Sequence, residues 1–448
     1  MNKRLFLLLF GLLPCVGMAQ GLSGFIYGGF FSAQTSRFQP AQLGTGYERF
    51  GLTIGHLQGS LSNSAISRGW ATAVAGGDVS GVPAWIQTLP QQPALHLQAQ
   101  AELLSGYFRL GASPQTGLTL GWSITDRALM KATFPGDLVR LAWFGNAPYE
   151  DQTVRMPLSM RAMWLREYGI SAAAPFALGE SGATLRVGGR IRYVQGIHAA
   201  RVYPASASLY TAPEGQYLSL DYQFTALATF DPESESPFLP SDAARPRGNG
   251  FATDLGVRLS WKNIFHADLA LLDMGSVRFQ PDARNVSYQK ADAIRFEGAV
   301  IENPFEDPTP VIDSTLFRNI LDGSRTTGVG ITMPMPARVR IGGSATLMKT
   351  DKKSRSYAAH TFSAAVTREL NLGWGYNTYL ETGYTFNFKN VLEATVVYGG
   401  GAGHWYGGAF AGLRTGPMRF GLGSYDLSAA LSPGGKGAAF NGVMSVGF

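Results

Sequence analysis

Apolar and polar residues alternate with a period of two along most of this chain, in runs of about ten residues. In Ala183–His198 the odd positions are mostly apolar (Ala183, Leu185, Val187, Ile191, Tyr193, Ile197), and the even ones carry Arg186, Arg190, Arg192 and His198. Ala337–Leu347 sets Val339, Ile341 and Ala345 against Arg338, Arg340, Ser344 and Thr346. Leu255–Lys262 opposes Leu255, Val257, Leu259 and Trp261 to Arg258, Ser260 and Lys262, and Leu380–Phe388 opposes Tyr384 and Phe386 to Glu381, Thr385 and Asn387. Met156–Ile170 follows the rule except at Arg166, which is placed at a membrane border. Sixteen such runs are legible: 46–60, 95–112, 116–131, 155–173, 183–203, 206–228, 250–262, 265–279, 288–300, 336–348, 356–369, 374–388, 391–400, 404–414, 417–428 and 438–448. About ten residues is the length a tilted membrane strand requires.

The punctuation supports strands over helices. Ser113–Gly117, Leu178–Gly182, Thr415–Pro417 and Ser432–Gly437 hold the Gly, Pro and Ser of tight reversals. Ser64–Pro93, Phe134–Asp151, Asp231–Gly248 and Glu302–Thr332 are too long for turns and predict loops, with short helices over Asp137–Phe144 and Val311–Leu321. The fold class expected is all-β: a transmembrane antiparallel β-barrel of about fourteen strands, twelve to sixteen being the range, with the hairpin 265–300 partly outside the wall. A soluble secreted β-protein is the alternative that alternation alone leaves open.

The two ends sharpen this picture. Met1–Gln20 has a positive start (Lys3, Arg4), an apolar run (Leu5–Leu13) and a small-residue exit (Gly17, Ala19), which reads as a signal peptide. Ala438–Phe448 alternates to a final Phe448, expected to be the assembly signal that the barrel-assembly machinery reads. The localisation expected is therefore the outer membrane of a Gram-negative cell, with its lipid bilayer and assembly machinery as partners. The domains expected are the signal 1–20, a plug segment 21–46 and the barrel 47–448.

Composition removes other functions. The formal charge is +6 and falls to +4 without Lys3 and Arg4, too little to suggest a nucleic-acid partner. The sole cysteine, Cys15, lies inside the signal, so the mature chain has no thiol chemistry; lipid attachment there is disfavoured by Pro14. The six histidines, His56, His96, His198, His266, His360 and His404, are scattered without metal-ligand spacing. No nucleophile elbow or phosphate loop is present, and Gly399–Gly408 lacks the Lys-Ser/Thr and the helix of one. No enzyme, metal or cofactor is expected.

Two resemblances follow. Gly21–Gly46 is rich in small residues and contains Phe38-Gln39-Pro40-Ala41, which resembles the plug motif of the FadL-like long-chain fatty-acid transporter superfamily, with Gln39 in place of Asn. The chain more closely resembles an uncharacterised outer-membrane family of unknown function allied with those barrels. Thr125-Asp126-Arg127, Trp164–Ser171 with Val187–Ala199, and Leu272-Asp273-Met274-Gly275 carry that likeness. It implies a barrel with an N-terminal segment folded into the lumen, and no substrate.

Charge then marks the inside. Arginine facing lipid costs roughly 2–4 kcal/mol at the midplane. The candidate luminal residues are therefore Arg186, Arg190, Arg192, Arg258, Arg338 and Arg340, with Glu167, Asp268, Glu381 and Glu393. They can form a salt-bridge network that braces the wall, a cationic lumen for an anionic headgroup, or both. Two functions remain open: passive transport of hydrophobic or amphipathic small molecules, and a non-conducting structural or accessory barrel of a secretion or surface-attachment complex.

Overall fold

The computed structural model describes residues 32–448 except 47, 78–79, 112, 114–115, 180–181, 231–239, 283, 297–323, 351–355, 371–376 and 402–403. The signal 1–20, the first part of the plug segment and the helix expected over Val311–Leu321 lie outside the described residues.

Nineteen strands are described. They are β1 Phe50–Asn63, β2 Ala94–Leu110, β3 Leu118–Thr133, β4 Gln152–Arg155, β5 Leu158–Leu178, β6 Ala183–Thr211, β7 Leu218–Ala228, β8 Gly248–Trp261, β9 Phe265–Phe279 and β10 Val286–Phe296. They continue as β11 Ser324–Thr327, β12 Ile331–Pro334, β13 Arg338–Thr350, β14 Ser356–Glu369, β15 Thr378–Phe388, β16 Leu392–Gly401, β17 His404–Thr415, β18 Met418–Ser424 and β19 Gly437–Gly447.

Fourteen of them close a ring. The antiparallel order is β1-β2-β3-β5-β6-β8-β9-β13-β14-β15-β16-β17-β18-β19, and β19 pairs back onto β1 from Gly51↔Gly447 to Ser62↔Gly437. The expected barrel of fourteen strands is the observed one. Two alternating runs do not join the wall. The run 206–228 splits between the end of β6 and β7, and the described part of 288–300, residues 288–296, falls on β10. The upper part of β6 pairs with β4 and β7, β7 with β10, and β10 with β11, so these strands build a sheet projecting beyond one rim. The run 417–428 also ends early, at Ser424, and Leu427–Leu431 is helical.

The two rims differ. One carries short reversals, including Lys262-Asn263 and Lys389-Asn390, each with both residues at positive φ. The repeated aromatic-Lys-Asn-aliphatic pattern explains them, since Asn tolerates the left-handed region better than most residues. Lys262 and Lys389 each lie over the preceding ring, at 5.1 Å from Trp261 and 4.8 Å from Phe388. The other rim carries the long loops, with helices at Arg68–Ala75, Val82–Gln87 and Gly136–Phe144. The last was expected from its sequence. The first two were not, and they pack Trp70 on Trp85 at 4.0 Å.

The wall is apolar outside and charged inside. On β6, Ile191 is 62% exposed while its neighbour Arg192 is 1% exposed. Exposed Trp261, Phe265 and Phe388 ring the turn rim, and Tyr398 stacks on Trp405 at the loop rim. An outward apolar band between aromatic girdles is the signature of a barrel standing in a bilayer. Nothing here depends on helices: among the described residues none is long and apolar enough to cross a membrane.

Candidate luminal site

The lumen is filled in layers, and the lowest, toward the turn rim, is the N-terminal segment. A helical turn Ser32–Thr35 and a 3-10 turn Pro40–Gln42 lay residues 32–46 against the inner wall. The Gln39 amide donates to the carbonyls of Val257 and Leu269 at 3.2 Å each and to Asp268 at 3.3 Å. Two wall glycines make room. A Cβ on Gly188 would lie 2.4 Å from the Pro40 carbonyl, and one on Gly256 would lie 2.0 Å from Gln39 Oε1. Ala41 and Phe38 are buried, Leu43 packs against Tyr107 and Ala173, and Arg109 donates to the carbonyls of Gly44 and Gly46. Arg186 donates to the Leu43 carbonyl at 2.6 Å and to Thr119 at 3.0 Å. Arg37 reaches up to Glu102 at 3.1 Å and also donates to Thr125.

Above this segment stands an ion lattice. Arg192 reaches Glu167 at 2.8 Å, Asp254 at 2.7 Å and Asp273 at 2.8 Å. Arg127 joins Glu167 at 2.7 Å and Asp273 at 3.0 Å; Arg338 joins Asp273 at 2.7 Å; Arg190 joins Asp254 at 2.6 Å. Four guanidiniums thus hold three carboxylates across six successive wall strands. Buried charges are tolerated only when so paired and hydrogen-bonded. Two small cavities of about 30 Å³ each flank Arg338, room for a water molecule apiece.

Toward the loop rim the lumen turns apolar. Leu129, Met163, Leu165, Val194, Val277 and Phe279 from the wall meet Ile331, Met333 and Met335. The wall strand that carries these last residues is interrupted. Pairing with β9 stops at Arg338↔Leu272 and resumes at Pro334↔Ser276. Three residues on each side are left over, and Met335 N–H donates to the Gly275 carbonyl at 2.9 Å. Pro334 and Pro336 have no N–H to offer this ladder.

The candidates expected from sequence fall as follows. Arg190, Arg192, Arg338 and Glu167 meet in the lattice. Arg186 belongs to the N-terminal segment instead. Arg258 lies 3.9 Å from Asp268, beneath Gln39. Arg340 approaches Glu381 at 3.5 Å, and Glu381 accepts from Tyr406 at 2.9 Å, away from the lattice. Glu393 is buried on β16. The Phe448 carbonyl accepts from the N–H groups of Arg49 and Phe50, beside the β1–β19 seam.

His198 is a correction: it was grouped with the inward arginines but lies on the other face. A bulge at Trp164/Leu165 in the β5–β6 ladder shifts the phase, so Ala199 turns inward and His198 bonds Asp242 at 2.9 Å over the outer wall. The off-period Arg166 also points outward, gripping Asp126 through bonds of 2.6 and 2.7 Å.

Arg127, Asp254 and Asp273 were missed as site residues. Asp254 precedes the clean run Leu255–Lys262 by one residue. Asp273 is hidden by a phase change: a bulge opposite Asp254, with Asp273 at φ +57°, buries both Leu272 and Asp273. A signal did exist. Arg127, Glu167, Arg192 and Asp273 come one each from the stretches Thr125–Arg127, Trp164–Ser171, Val187–Ala199 and Leu272–Gly275. The stretches that carry the family resemblance are therefore those that meet in the lattice. Among the described residues no cluster of His, Cys, Asp and Glu is arranged to hold a metal ion.

A family model described as "Family of unknown function (DUF5723)" matches residues 50–424. No curated protein matches the chain by sequence. Similar solved structures include the toluene transporter TbuX of Ralstonia pickettii, at 10% identity and TM-score 0.43 over 96% of this chain and 99% of that one. The P. putida toluene transporter TodX is similar at 9% identity and TM-score 0.44, over the same shares of the two chains.

Proposed function

Starting from a chain that belongs to the family of unknown function DUF5723 and folds as a closed fourteen-strand barrel, we propose a passive outer-membrane transporter for hydrophobic or amphipathic small molecules, without catalysis. The observation that carries this reading is the stacking of an apolar luminal layer directly on an arginine-rich lattice. A solute arriving from the long-loop rim would have to part Leu165, Val277, Phe279 and Met333, which are fully buried against one another, to lay its apolar body among them. A carboxylate on it would meet Arg127 and Arg338, which line one of the small cavities together with Leu129. Passage beyond the lattice requires the segment 32–46 to shift. Across 273–275 and 335–337 the β9–β13 ladder is interrupted, and Met335 N–H to the Gly275 carbonyl is the backbone bond that bridges the gap.

The test is uptake of a fluorescent fatty acid and of a neutral aromatic into proteoliposomes. Met333→Glu puts an unpartnered charge into the apolar layer and is expected to slow both about tenfold or more, with the barrel still heat-modifiable on gels. Uptake equal to that of protein-free vesicles, or unaffected by Met333→Glu, overturns the reading.

The projecting sheet favours a second reading, an accessory barrel in a secretion or attachment complex. Its strands β6, β7 and β10 line a cavity of about 680 Å³ with Arg155, Tyr222, Gln223 and Asp292. Site-specific crosslinks from Asp292→Cys on intact cells, together with vesicles that stay impermeable, would select it.

A further inference from the structure

The lipid-facing side of the wall carries a depression that the transport reading does not use. It crosses β3, β5, β6 and β8, is open to the outside, and has a volume of about 830 Å³. Ala172, Gly189 and Thr253 form its floor; Gly189 stands in register with Ala172 on one side and Leu255 on the other. Aromatic rings form its flanks. Tyr168 and Tyr193 stack at 6.4 Å, Tyr193 and Phe251 approach at 5.7 Å, and Trp122 lies across from them.

Gly189 decides how this feature is understood. Its neighbour in sequence, Gly188, points inward and is required by the close approach of Pro40. Gly189 points outward, and a Cβ there would first meet Leu255 Cδ2 at 3.6 Å and the Asp254 carbonyl at 3.7 Å, ordinary contact distances. The fold therefore has room for a side chain at 189. The missing side chain, with Ala172 beside it, is what makes the depression.

Its position names the occupant. Arg166 and Asp126 form their outward ion pair two residues toward the loop rim from Tyr168 and Ile124, and Arg166 also donates to the Ala243 carbonyl at 3.2 Å. An outward charged pair belongs at the bilayer interface. Below that level the depression runs about 13 Å down the wall from Tyr168 to Ala172, the rise of four strand residues, through surface as open as Ile170, which is 75% exposed. At that depth there is no water to fill it. We propose that it binds the acyl chain of one membrane lipid, with the lipid's polar head level with Arg166.

The experiment uses the full mature barrel in phosphatidylethanolamine vesicles doped with a phospholipid that carries a diazirine at mid-chain. Adducts are mapped by mass spectrometry after illumination. The expected result is adducts concentrated on β5, β6 and β8 around the depression. Gly189→Leu should reduce them several-fold, leaving adducts near Ile341 and Val396 unchanged and solute uptake unaffected. Ala172→Leu fills the same space and serves as a second variant if the first fails to fold. Three outcomes overturn the proposal: adducts spread evenly over the outer wall, adducts indifferent to both variants, or labelling confined to a diazirine fatty acid added free. Crosslinks between copies of the chain through this surface overturn it as well.

Discussion

Arg192 shows what one side chain does for this lumen. It touches three carboxylates from three other strands, and each of those also bonds another arginine. Arg192→Met removes the central cation and leaves Glu167, Asp254 and Asp273 crowded together in a buried site. Breaking a buried ion network from one side costs about 3–5 kcal/mol. The expected outcome is loss of the heat-resistant folded form at a markedly lower temperature, read by gel mobility after graded heating. Arg186→Met should behave differently. Its bonds include one to the Leu43 carbonyl of the N-terminal segment and one to Thr119, so the wall should lose less heat resistance than with Arg192→Met while single-channel conductance rises as the N-terminal segment loosens. Parity alone was enough to place Arg190, Arg192, Arg338 and Arg340 inside, because it follows from the pleat of a strand. It could not supply Asp273 or remove His198, because each sits next to a bulge, and a bulge slips the phase by one without leaving a mark in hydrophobicity.

Whole elements were more legible than the residues that join them. Fourteen of the sixteen alternating runs are wall strands, and the other two alternate because they also belong to a two-faced sheet. Period two reports a sheet with unlike faces; it does not report whether that sheet closes the barrel or projects beyond its rim. The N-terminal segment has no period, and its place is set by wall glycines more than 140 residues away. A direct test follows. Gly256→Val should drive Gln39 from its bonds to Val257, Leu269 and Asp268, because the new Cβ would occupy the position of Gln39 Oε1. Expected is a wall that still folds, with higher conductance and with residues 32–46 newly open to protease. Deleting 21–46 should give the same conductance without the protease-sensitive fragment. If Gly256→Val leaves conductance and cleavage unchanged, the segment is not what narrows the lumen.

At the scale of the molecule, the ring depends on its seam. β19 bonds β1 along its whole length and β18 along half of it, so removing Asn441–Phe448 strips partners from both neighbours and reopens the ring. The expected outcome is no heat-modifiable barrel in outer-membrane fractions; a normal yield of folded protein would place closure elsewhere and remove the assembly role proposed for Phe448. The ion lattice has a further consequence, for the order of events in time. Its members are spread from Arg127 to Arg338, and the bonds of Gln39 span up to 230 positions of sequence. Contacts so distant form late. Through most of insertion, then, seven charged side chains must stay hydrated on one side of a curling sheet whose other side is already in hydrocarbon. The lumen dries only when the last of the six strands arrives, and the N-terminal segment can dock fully only once β9 has brought Asp268 and Leu269 to Gln39. Maturation should therefore have two phases: a fast one in which the sheet enters the bilayer, and a slow one in which its interior loses water.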